Sequence, residues 1–69
     1  MFILLLESKN VEGEVLRLQK ELDHGRYTIL RGEYTGEQGR FQQKGSYADL
    51  GNALGVYCEV MKGFVKDLD

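Results

Sequence analysis

Cysteine and histidine are nearly missing from this chain, and proline is missing altogether. Cys58 is the only cysteine, so no disulfide can form within the chain. A structural zinc site needs several Cys or His ligands, and Cys58 and His24 are the only two. No intrachain Cys/His metal site is available, and no cofactor is expected. An excess of positive charge is missing too. A formal net charge of −2 and a pI near 5.3 argue against a general nucleic-acid binder, which usually presents a basic domain. The longest apolar run, Phe2 to Leu6, is far shorter than the roughly 20 residues of a membrane-spanning helix. It also lacks the basic flank and small-residue cleavage site of a signal peptide. These features lead to the expectation of a cytoplasmic protein, in a reducing compartment that suits a lone thiol, with no membrane partner.

What is present fits one small α+β domain spanning 1–69. A chain this short buries a modest share of its surface. Small scaffolds compensate with disulfides, metals or oligomerisation, and only the last remains here, so a homodimer is expected.

The run Phe2-Ile3-Leu4-Leu5-Leu6 reads as a strand covered on both faces. In "SKNVEGEVLRLQKELDHG", Val11, Val15, Leu18 and Leu22 recur at helical spacing. Asn10 or Ser8 can cap its start, and Gly25 stands where a C′ glycine belongs. Residues 26–47 alternate as a hairpin whose turn centres on Glu37-Gln38, flanked by Gly36 and Gly39. The expected register sets Tyr34 opposite Phe41 and Leu30 opposite Gly45 on a core face. It sets Ile29 opposite Ser46 and Arg31 opposite Lys44 on a polar face. Gly32 and Gly45 fall inside strands, where glycine marks a bulge or a close approach, here with room for a helix side chain.

The last segment reads as one long helix with the apolar stripe Tyr47, Leu50, Leu54, Tyr57, Cys58, Met61, Phe64, Val65 and Leu68. Val56 alone breaks the polar side, and Ser46 with Asp49 resembles a capping box. The competing reading ends the helix at Gly55 and makes "VYCEVMKGFV" a fourth strand. The expected fold is therefore a β-α-β-β-α two-layer sandwich, a three-stranded sheet with two helices on one face. The alternative is a complete ferredoxin-like β-α-β-β-α-β unit. In the complete unit the apolar first strand is interior, flanked by the third and fourth strands. Without a fourth strand it lies at an open edge that something must cover, and Phe2, Leu4 and Leu6 become candidate partner or dimer residues.

No catalytic set stands out. The nearest match to a phosphate-binding P-loop, "GRFQQKGS", has Lys before Gly, so its Lys and Ser are not adjacent. His24 reads as a helix-terminal residue and Cys58 as a buried thiol. Glu12, Glu14, Glu21 and Asp23 read as a solvated helix face. The chain is expected not to be an enzyme. One anion or nucleic-acid face can be drawn from Arg31, Arg40, Lys44 and Ser46. The leading functional expectation is a non-catalytic protein-binding module, a small regulator or inhibitor such as a phage or mobile-element accessory protein. The alternative is nucleotide or RNA binding through the basic hairpin face.

Overall fold

The computed structural model of the chain describes residues 1–35 and 38–64, and the side chains among them except at 34, 35 and 38. The elements run β1 (Phe2–Lys9), β2 (Glu14–Glu21), β3 (Arg26–Thr35), β4 (Gln38–Tyr47) and α1 (Leu50–Phe64). The strands form an antiparallel meander in the order β1-β2-β3-β4, and α1 crosses one face over β2, β3 and β4. This overturns the three-stranded sheet with two helices. It overturns the ferredoxin-like alternative as well, since β1 leads to β2 with no helix between them.

Two glycines explain the correction. Gly13 has φ 85° and Gly25 has φ 67°, a left-handed backbone that other residues rarely adopt. At the first turn, Asn10 Oδ1 accepts the backbone N–H groups of Glu12 at 3.0 Å and Glu14 at 2.9 Å. The Gly13 N–H donates to the Asn10 carbonyl at 3.2 Å. Val11, Glu12 and Gly13 thus form a hairpin loop closed by a left-handed glycine. At the second turn the Gly25 N–H donates to the Glu21 carbonyl at 2.8 Å. A glycine in this conformation ends a helix or closes a hairpin equally well, so Gly25 fits both readings. The apparent helical stripe was a coincidence of spacing. Val11 is 82% exposed in the first turn, while Leu16 and Leu18 alternate with Arg17 and Gln19 along β2.

The core lies between the sheet and α1. Leu16, Leu18 and Ile29 meet Ala53, Tyr57 and Phe64, with Tyr27, Tyr47, Val56, Val60 and Met61 packed around them. A buried side chain of this kind contributes about 1.5–3 kcal/mol by leaving water. The Tyr57 hydroxyl donates to the Leu16 carbonyl at 3.1 Å and lies 3.0 Å from Ser8 Oγ, which pins α1 to the sheet.

The β3–β4 hairpin exists in a different register. Leu30 faces Gln43, Arg31 faces Gln42, Gly32 faces Phe41 and Glu33 faces Arg40. A bulge then changes the step, so that Ile29 faces Gly45 and Tyr27 faces Tyr47. Arg31 and Lys44 are therefore not opposed. The bulge turns Tyr47 and Gly45 toward α1 beside Ile29 and leaves Leu30 and Phe41 on the far face. The covered face is the one that the alternation marked as polar. Gly32 and Gly45 are close approaches as expected, but their neighbours differ. A Cβ on Gly32 would strike the Arg40 carbonyl, and one on Gly45 the Tyr47 ring. The expected turn at Gly36 and Glu37, and the Tyr34 side chain proposed to pair with Phe41, lie outside the described residues.

The last segment is a helix through Phe64, and the fourth-strand reading of residues 56–65 fails there. Val65 and Leu68 of the expected stripe lie outside the described residues. Asp49, not Ser46, caps the helix, its carboxylate accepting the Asn52 N–H at 3.0 Å. Its buried side is turned from the expected stripe. Ala53, Tyr57 and Phe64 are buried and Val56 packs against the core, while Leu50, Leu54 and Cys58 are exposed.

Candidate binding edge

The apolar run that opens the sequence forms an outer strand. Among the described residues β1 pairs only with β2, and no Cα of α1 comes within 8 Å of it. Phe2, Ile3, Leu4, Leu5 and Leu6 are 48%, 49%, 45%, 40% and 41% exposed. The expectation of a strand covered on both faces is thereby corrected.

A bulge at Leu5 divides this strand. Ile3 pairs with Lys20 and Leu4 with Gln19, but Leu6 pairs with Leu18 and Ser8 with Leu16. Since Leu16 and Leu18 face α1, Ile3, Leu6 and Ser8 share the helix side. Phe2, Leu4, Glu7 and Lys9 share the other. Of the predicted edge residues, Phe2 and Leu4 fall on one face and Leu6 on the opposite one. Simple alternation missed this, and it also missed Ile3 as the partner of Leu6. No signal in five consecutive apolar residues marks the bulge.

The face away from α1 is organised by a charged row. Glu7 accepts from Arg17 at 3.0 Å, and the Arg17 guanidinium lies 4.6 Å from the Phe41 ring centroid. Val15, Gln19 and Thr28 are buried on this side, and Gln19 Nε2 donates to Glu21. Gln19 Oε1 is the one buried side-chain polar atom without a protein partner among the described residues.

The predicted basic face does not assemble as drawn. Arg31 points to the α1 side, where it bonds Glu14 at 2.9 Å and stacks 5.2 Å over the Phe64 ring. Arg40 stands opposite Glu33. Lys44, at the β4 bulge, donates to Gln42 at 3.3 Å. These three cations border one shallow depression together with Glu14 and Glu33. Ser46 is on the opposite face, where its hydroxyl accepts from Arg26 at 2.8 Å. Three cations are thus set among two carboxylates, and the fourth residue is elsewhere.

The residues weighed for catalysis also change place. His24 is exposed in the β2–β3 turn, not in a last helical turn, and Cys58 is exposed on α1, not buried. Glu14 and Glu21 belong to β2, and Glu14 ties together Arg31 and Asn10. Among the described residues, no three His, Cys, Asp or Glu side chains converge as metal ligands. No helix among them is long and apolar enough to cross a membrane. The sequence matches no protein-family model, and comparison with curated proteins and with solved structures returns no match.

Proposed function

We propose that this chain is a non-catalytic protein-binding module, a small regulator or inhibitor, that acts as a homodimer through β1. One observation carries the reading. Five consecutive apolar residues, each at least 40% exposed, lie on an outer strand that α1 leaves unroofed. An outer strand offers unpaired backbone groups that a second strand can take up, with side-chain contacts supplying selectivity. The nucleotide or RNA alternative draws less support, because Arg31 is held by Glu14 and Arg40 faces Glu33.

Light scattering over a concentration series tests the reading. The wild-type chain is expected to have a dimer mass that falls toward monomer on dilution. Leu4→Lys places a charge on the exposed edge and is expected to remain monomeric with its sheet intact by circular dichroism. A wild-type monomer at every concentration would overturn self-association through β1.

A further inference from the structure

We draw no further inference here: the strongest candidate, the shallow depression beside Gly32 on β3 and β4 that Arg31, Arg40 and Lys44 border, sets these cations among the carboxylates of Glu14 and Glu33, and nothing in the structure shows what would occupy it.

Discussion

Asn10 shows how much one polar side chain can organise. Its Oδ1 accepts two backbone N–H groups of the first turn, and its Nδ2 donates to Glu14 at 3.0 Å and to the Phe64 carbonyl at 3.2 Å. It therefore shapes the β1–β2 loop and holds the last turn of α1. Asn10→Ala is expected to cost about 1–3 kcal/mol, the range for leaving part-buried polar groups without partners, measured by urea unfolding. Gly32 makes a steric demand of a different kind. Any Cβ there meets β4 backbone, which cannot swing aside as a side chain can. Gly32→Ala is expected to destabilise by about 1–3 kcal/mol or more through overpacking, whereas Gly55→Ala, in open space on α1, is expected to stabilise by about 0.5–1 kcal/mol. The paired unfolding midpoints check both signs. Gly32 and Gly45 were legible in the sequence as a bulge or close approach. What a left-handed glycine terminates was not, because the local conformation at Gly25 is common to helix ends and hairpins.

Among the elements, α1 was legible and its orientation was not. Leu50, Leu54 and Cys58 form as good an apolar stripe as Ala53, Val56, Tyr57, Val60 and Phe64, and hydrophobicity alone does not rank them. The sheet decides, because Tyr57 reaches the Leu16 carbonyl and small Ala53 allows close contact. The consequence is testable in one pair of variants. Val56→Asp is expected to lose at least 2 kcal/mol by burying an unpaired carboxylate beside the core, while Cys58→Ser on the exposed side is expected to stay within about 0.5 kcal/mol of wild type. Thermal unfolding separates them, and equal effects would contradict the observed helix face. The β3–β4 hairpin was also found in the sequence, yet its register slipped. The bulge in β4 shifts parity without changing composition, so Gly45 and Tyr47 exchange faces and join Ile29 on the core side. β2 was lost because the loop between Asn10 and Glu14 falls inside a run of helix-compatible spacing.

At the scale of the molecule, the sheet is half roofed. α1 covers β2, β3 and β4 and leaves the most apolar strand outside. An outer position for the apolar run was legible from the sequence. The topology assigned to it was not, because it was derived from a helix that is a hairpin. The most direct measurement is hydrogen exchange at the amides of Phe2–Lys9 across a concentration series. Outward-facing amides of an unpaired edge exchange with solvent, while those in a ladder are protected. The account predicts that protection in β1 rises with concentration while that of the central strands β2 and β3 does not change. Rapid exchange in β1 at all concentrations, with β2 and β3 protected throughout, would contradict it.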